Sequence, residues 1–153
     1  MQPTLLDGQR QGEGVDAQLA QRITEELRAF VAAAGTRRAL RTSCQVGHPC
    51  GVQVSLASVD EANDQTSLRA DLVERAIDGL RSTDGACAWV TRGGSLGVTD
   101  ADAAWFAAAR AGFGRHGLVL PAFVVVTRTV WVDLVSGERR QWCRVRTRPR
   151  GAA

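Results

Sequence analysis

ACAWVTRGGSLGVTDADAAWFAAARAGFGRHGLVLPAFVVV, residues 86–126, contains the pattern of the central unit of the fold. It opens with an apolar strand pattern at Ala86–Thr91 and closes with a second one at Phe123–Val126. Between them a helix is predicted from Asp100 to about Arg115, with an apolar side made of Trp105, Phe106, Ala109 and Phe113. A strand, a helix and a strand in this order predict two parallel strands joined by a crossover helix.

The chain before this unit shows one helix, one hairpin and a second helix. Asp16 caps a first helix that Gly35 ends, and one face of that helix is apolar: Leu19, Ile23, Leu27, Phe30, Val31 and Ala34. From 38 to 56 the hydrophobic period changes to two around a Gly/Pro tip, which predicts a β-hairpin. A second helix is predicted from about Ser67 to Arg81, with a buried side made of Leu68, Leu72, Val73, Ala76, Ile77 and Leu80.

The chain after this unit is predicted to form one strand from Phe123 to Leu134, a turn at Ser136 and Gly137, and a return strand that reaches Arg146. The order α-β-β-α-β-α-β-β predicts an α/β protein, or an α+β one, with a mixed five-stranded sheet and about three helices. We expect a single domain over 16–148, a disordered lead over 1–15 and a flexible tail over 149–153.

Composition and charge narrow the class of protein. The 153 residues are 44% hydrophobic and 23% charged, as in ordinary globular proteins, and no apolar run approaches the ~20 residues of a membrane span. No signal-peptide pattern opens the chain, so we expect a cytoplasmic protein with reduced cysteines and no membrane partner. All 19 basic residues are arginine. Residues 58–84 are rich in acids, whereas 136–153 hold six arginines and one glutamate.

The C-terminal hairpin carries the clearest functional pattern. A two-residue turn at 136–137 would place Trp131 opposite Trp142 and Asp133 opposite Arg140, with Thr129 opposite Arg144. Arginine at alternate strand positions, about 6.6 Å apart, lies on one side of the strand. Aromatic rings and guanidinium groups together can stack on bases and neutralise phosphates. The predicted polyanion-binding face, nucleic acid first, is Trp131, Arg140, Trp142, Arg144, Arg146 and Arg148.

Other interpretations of the charged segments stay open. A helix that covers the tryptophans, with arginine stems packed over them, would bury this face, and arginines also protect a sheet edge from aggregation. The basic segment 138–150 could instead contact an acidic protein surface or pair with the acidic segment 58–84 of a second copy, giving a homo-oligomer.

The glycine-rich loop after the strand 86–91 is a second candidate site. Its ligand-contacting residues would be Arg92, Gly93, Gly94 and Ser95, and Arg128 could converge with Arg92 on an anion, as in a small enzyme. However, a phosphate-binding P-loop needs a lysine, which the chain lacks. Thr99 and Asp102 also form a capping-box pattern that favours a turn and a helix start.

The cysteines and histidines give weaker patterns. Cys44, His48 and Cys50 are weak candidates for zinc ligands or for a nucleophile with its base, but their spacing is not that of a zinc finger. His116 suits a helix end, and Asp71, Glu74 and Asp78 share a solvated helix face. No catalytic set stands out. We therefore expect no cofactor and no metal, and a binding protein rather than an enzyme.

Overall fold

A computed structural model describes residues 16–35, 42–57, 66–94 and 97–141 of the chain. These residues form three helices and six strands, which confirms the α/β class and the three helices. The elements are α1 (Ala17–Ala34), β1 (Ser43–Gly47), β2 (Gln53–Ala57), α2 (Thr66–Asp78), β3 (Cys87–Thr91), α3 (Asp100–Arg115), β4 (Phe123–Val126), β5 (Val130–Asp133) and β6 (Arg139–Gln141). The predicted lead 1–15 and tail 149–153 lie outside the described residues.

The strands form one mixed sheet in the order β2-β1-β3-β4-β5-β6. β3 and β4 are parallel neighbours joined through α3, as predicted, with Ala88 opposite Phe123. The other neighbouring pairs are antiparallel. The predicted first hairpin is also confirmed, with Cys44 of β1 opposite Leu56 of β2.

The prediction of five strands is wrong because residues 123–134 form two strands rather than one. The amide of Thr127 donates to the carbonyl of Val130 (2.9 Å), and the Thr127 hydroxyl donates to the same carbonyl (3.3 Å). The chain reverses there, and Val124 pairs with Asp133 in an antiparallel hairpin. The Thr127 hydroxyl supplies a hydrogen bond of this turn, although the neighbouring residues have high strand propensity. Neither glycine nor proline marks this turn.

Helices cover both faces of the sheet. On one face α2 and α3 pack over a core that contains Val46, Val90, Trp105 and Phe123. On the other face α1 places Ala20, Ile23 and Leu27 against a second core: Cys87, Trp89, Ala122, Val124, Val126 and Trp131. β3 and β4 are buried at every position, as is typical of parallel strands with helices on both faces.

The residues that flank α1 and α2 determine where these helices begin or end. The Asp16 carboxylate accepts hydrogen bonds from the amides of Gln18 and Leu19, and Gly35 follows the last turn of α1 in the left-handed region (φ 53°). α2 ends at Asp78 rather than at Arg81, since Gly79 follows it. Leu68 is 42% exposed, so its predicted place on the buried side of α2 is wrong.

Candidate functional site

β6 is an edge strand of the sheet and carries the exposed arginines of the C-terminal hairpin. Arg139, Arg140 and Gln141 are all exposed. β6 hydrogen-bonds to β5 on one side, and within the described part of the chain no strand pairs with its other side. Adjacent residues of a strand point to opposite faces, so Arg139 and Arg140 present their charges on both sides of this edge.

The turn that leads into β6 is organised by one buried carboxylate. Asp133 accepts hydrogen bonds from the amide of Phe123 (2.9 Å) and from that of Val135 (3.1 Å). It also accepts from the amide and the hydroxyl of Ser136 (3.1 and 2.6 Å). The Asp133 amide in turn donates to the carbonyl of Glu138, which closes the hairpin. Residues 134–137 therefore form the turn.

This longer turn corrects the predicted register of the hairpin. Trp131 lies opposite Arg140, and Val130 lies opposite Gln141. The predicted pairs of Trp131 with Trp142 and of Asp133 with Arg140 are wrong. A two-residue turn would leave the Asp133 carboxylate without the backbone donors of residues 135 and 136, and those bonds select the four-residue turn.

Trp131 is buried, in agreement with the alternative that a helix covers it. Its side chain has 0% exposure and lies in the core beneath α1. The guanidinium carbon of Arg140 lies 5.6 Å from the centre of the Trp131 ring, and Arg140 Nη2 contacts Glu138 at 3.4 Å. Trp131 thus supports an exposed arginine by a cation–π contact and has no surface on which a base could stack.

Further basic residues adjoin this edge. Because Val130 pairs with Gln141, the β4–β5 turn that holds the exposed Arg128 adjoins the end of β6. We call Arg128, Arg139 and Arg140 the basic edge. The predicted face does not include Arg139, because strand alternation places this residue on the side of the strand opposite to that of Arg140. The predicted residues Trp142, Arg144, Arg146 and Arg148 lie outside the described residues, and their role stays a prediction.

The glycine-rich loop closes on the chain itself. Arg92 is 6% exposed and Asp102 is 0% exposed, and their side chains form a bidentate pair. Arg92 Nε donates to Asp102 Oδ1 at 3.0 Å, and Nη2 donates to Oδ2 at 2.9 Å. Further guanidinium hydrogen bonds reach the carbonyls of Gly93 (3.0 Å) and Gly97 (2.8 Å). The arginine therefore binds both sides of its own loop.

These contacts favour the alternative of a turn and a helix start over a ligand-contacting loop. The anion that Arg92 binds is Asp102, which also accepts a hydrogen bond from the amide of Thr99 in the predicted capping box. Arg128 follows β4 and is exposed, whereas Arg92 is buried and bound to Asp102. Of the other predicted loop residues, Gly93 is half-buried and Gly94 exposed, and Ser95 lies outside the described residues.

The cysteine and histidine candidates do not form one site. Cys44 is buried in the core under α2 and α3, and this burial raises the pKa of its thiol. Cys50 is exposed on the other side of the sheet, where its thiol donates to the carbonyl of Arg22 in α1 (3.3 Å). His48 Nε2 lies 2.9 Å from the carbonyl oxygen of Ser82. The described residues include no group of three acidic, histidine or cysteine side chains placed to bind a metal ion.

The acidic face of α2 binds the end of α3. Arg115 Nη1 lies 2.8 Å from an Asp71 oxygen and 2.9 Å from a Glu74 oxygen, and both bonds raise the pKa of the guanidinium. His116 Nε2 lies 3.2 Å from Asp78. His116 is therefore part of a helix–helix contact at the end of α3, as its position at a helix terminus indicates.

Among the described helices, none is both long enough and apolar enough to cross a membrane. Comparison with protein-family models, with curated proteins and with solved structures finds no match to this chain.

Proposed function

We propose that this protein is a binding module that contacts a polyanion, nucleic acid first, through the basic edge and the arginines that follow it in sequence. The observation that carries the proposal is the exposed edge strand β6 with Arg139 and Arg140 on its two sides. The chain continues from this strand with four more arginines and no acid: Arg144, Arg146, Arg148 and Arg150.

The chemistry of the basic edge favours phosphate groups over bases. Guanidinium groups bind phosphate oxygens with two parallel hydrogen bonds and remain charged at every physiological pH. Trp131 is buried, so the described part of the edge offers no aromatic ring for base stacking. Binding at this edge should therefore be electrostatic, tolerant of sequence and steeply dependent on salt.

The contacts of the acidic helix face favour an external polyanion over pairing between subunits. Pairing of 58–84 with 138–150 in a second copy would need acids without partners. Asp71 and Glu74 already bind Arg115, and Asp78 contacts His116. Similarly, the Arg92 guanidinium is already bound to Asp102. This ion pair weakens the support for an anion-binding enzyme site at the glycine-rich loop.

The experiment is a fluorescence-anisotropy titration of a labelled 20-nucleotide single strand at low ionic strength. We expect the unmodified protein to bind, and the double variant Arg139→Gln/Arg140→Gln to bind at least about tenfold more weakly. A triple variant, Arg144→Gln/Arg146→Gln/Arg148→Gln, measures the contribution of the following segment. Absence of binding by the unmodified protein would contradict the proposal.

A matched control separates a specific basic edge from net charge alone. Arg75 and Arg81 are exposed, and α2, on which Arg75 lies, packs against β1 in the half of the sheet away from β6. The variant Arg75→Gln/Arg81→Gln removes the same charge and should retain nearly full affinity. Equal losses of affinity in the two double variants would show that total charge, and not the basic edge, drives binding. A mass measurement that finds a salt-sensitive dimer would favour pairing between subunits.

A further inference from the structure

A groove runs between α3 and the turn that leads into β6. Its volume is about 450 Å³, and seven side chains line it: Phe106, Arg110, Leu118, Val119, Leu120, Leu134 and Val135. Pockets of about 300–1,000 Å³ are the size that binds small molecules in proteins. Apart from Arg110, every lining residue is apolar.

The floor of the groove is held by the core, whereas its rim is open to water. The Phe106 ring lies 5.2 Å from the buried Phe123 ring, centre to centre, and Leu120 is buried beside it. At the rim, Val119 is 86% exposed and Val135 is 48% exposed. Exposed aliphatic side chains grouped around a concave surface are typical of a binding site.

The charge of the groove lies over its aromatic floor. Arg110 and Phe106 are one helical turn apart on α3, and the guanidinium carbon lies 5.6 Å from the ring centre. In the described part of the chain no carboxylate lies within ion-pair distance of Arg110, in contrast to Arg115 on the same helix. The guanidinium therefore keeps its capacity to bind an anion beside an apolar surface.

We propose that this groove binds a small apolar carboxylate. The hydrocarbon part of the ligand would replace water on Phe106 and on the leucines, while the carboxylate would bind Arg110 through charge-assisted hydrogen bonds. The single positive charge of Arg110 matches the single negative charge of one carboxylate. A polyanion has many charges and little apolar surface, so this ligand class differs from that of the basic edge, and the inference does not depend on the proposed function.

The test uses octanoate and, as its uncharged counterpart, 1-octanol, with amide chemical shifts as the signal. We expect octanoate to bind with a dissociation constant on the order of 1 mM and to shift amides of 106–110, 118–120 and 134–135. Arg110→Gln should weaken octanoate about tenfold and change octanol binding little, because the variant removes the charge and keeps the apolar lining residues. Val119→Ser should weaken both ligands, and Arg75→Gln should change neither.

Three outcomes would overturn the inference. Octanoate could leave these amides unshifted at millimolar concentration, or it could bind the Arg110→Gln variant as tightly as the unmodified protein. The third is a dimer that dissociates on Val119→Ser, since a second copy would then occupy the groove. Val119 is exposed, so this variant should fold, and its amide spectrum outside the groove checks that it does.

Discussion

Asp102 binds Arg92 and begins helix α3 with the same carboxylate. Its two oxygens accept from Arg92 Nε and Nη2 at 3.0 and 2.9 Å, and Oδ2 also accepts from the amide of Thr99 at 3.0 Å. The Thr99 hydroxyl accepts in return from the Asp102 amide. A loop whose glycines resemble those of a phosphate site is thus closed by an internal ion pair.

Asp102→Asn should be strongly destabilising. The amide keeps the shape of the side chain but removes the negative charge that faces the buried Arg92 guanidinium, which costs about 3–5 kcal/mol in free energy of unfolding. Urea denaturation followed by circular dichroism measures the change. Asp78→Asn, which alters an exposed contact with His116, is the control and should change stability by less than about 1 kcal/mol. Equal effects of the two variants would contradict a structural role for the Arg92–Asp102 pair.

Two glycines of α3 should respond in opposite directions to alanine. A Cβ at Gly112 would lie 2.6 Å from Val73 Cγ1 and 3.3 Å from the amide nitrogen of Glu74 in α2. Val73 is buried and stiff at χ1, so Gly112→Ala should push the helices apart and cost about 1–3 kcal/mol. Gly114 faces open space, so Gly114→Ala should add about 0.5–1 kcal/mol. Thermal unfolding of both variants tests the α2–α3 packing, and two changes of the same sign would contradict it.

Asp133→Ala should release β6 from the sheet. The variant leaves the amides of Phe123, Val135 and Ser136 without their acceptor, which costs about 2–3 kcal/mol. Hydrogen exchange should accelerate most at 130–141. Asp133→Asn keeps one carbonyl acceptor and should lower stability less than the alanine variant. Exchange that accelerates equally across β1 and β3 would show that the carboxylate has no local role in the hairpin.

The Cys50 thiol should react with iodoacetamide only slowly at neutral pH. Desolvation and the Glu25 carboxylate, one oxygen of which lies 3.6 Å from the Cys50 sulfur, raise its pKa, and the charge of Glu26 adds to the effect. The reactive thiolate therefore forms at higher pH than in a free thiol, and the rate should still rise steeply above about pH 8. In a Cys143→Ser background, Glu25→Gln should lower this pKa and accelerate alkylation at about pH 8, whereas Asp84→Asn should not. A rate that is independent of Glu25 would contradict the contact.

Cys44 and Cys87 provide the internal reference for that experiment. Burial raises the pKa of both thiols, and that of Cys87 reaches about 12, with the nearby Asp133 carboxylate contributing. Both should resist alkylation until the protein unfolds. Modification of either at the rate of Cys50 would mean that the cores under α1 or α2 open readily.

The central unit of the fold is predictable from sequence because its patterns are local. Strand runs at 87–91 and 123–126 and the capping box at Thr99 mark their elements by composition and spacing. The turn at Thr127 is not predictable in this way, since its hydrogen bonds come from a threonine within a run of strand formers. Tertiary context decides that turn.

The hairpin register is mispredicted and the burial of Trp131 is left open because both depend on contacts between residues that are distant in the chain. The register of β5 and β6 depends on the carboxylate of Asp133, which binds the amide of Phe123 ten residues earlier in the chain. The burial of Trp131 depends on α1, more than 90 residues earlier in the chain. Strand alternation describes one pair of strands and contains no information on which helix covers each face. In contrast, the net charge of the hairpin is predictable from sequence, because it depends only on composition.

The salt dependence of nucleic-acid binding tests the proposed function most directly. Removing one phosphate-binding arginine lowers the slope of log K against log salt concentration by about 0.7 for a single strand, so Arg139→Gln/Arg140→Gln should lower it by about 1.4. Arg75→Gln/Arg81→Gln should leave the slope unchanged. A slope near zero for the unmodified protein, or one that the basic-edge variant does not change, would contradict nucleic-acid binding through the basic edge.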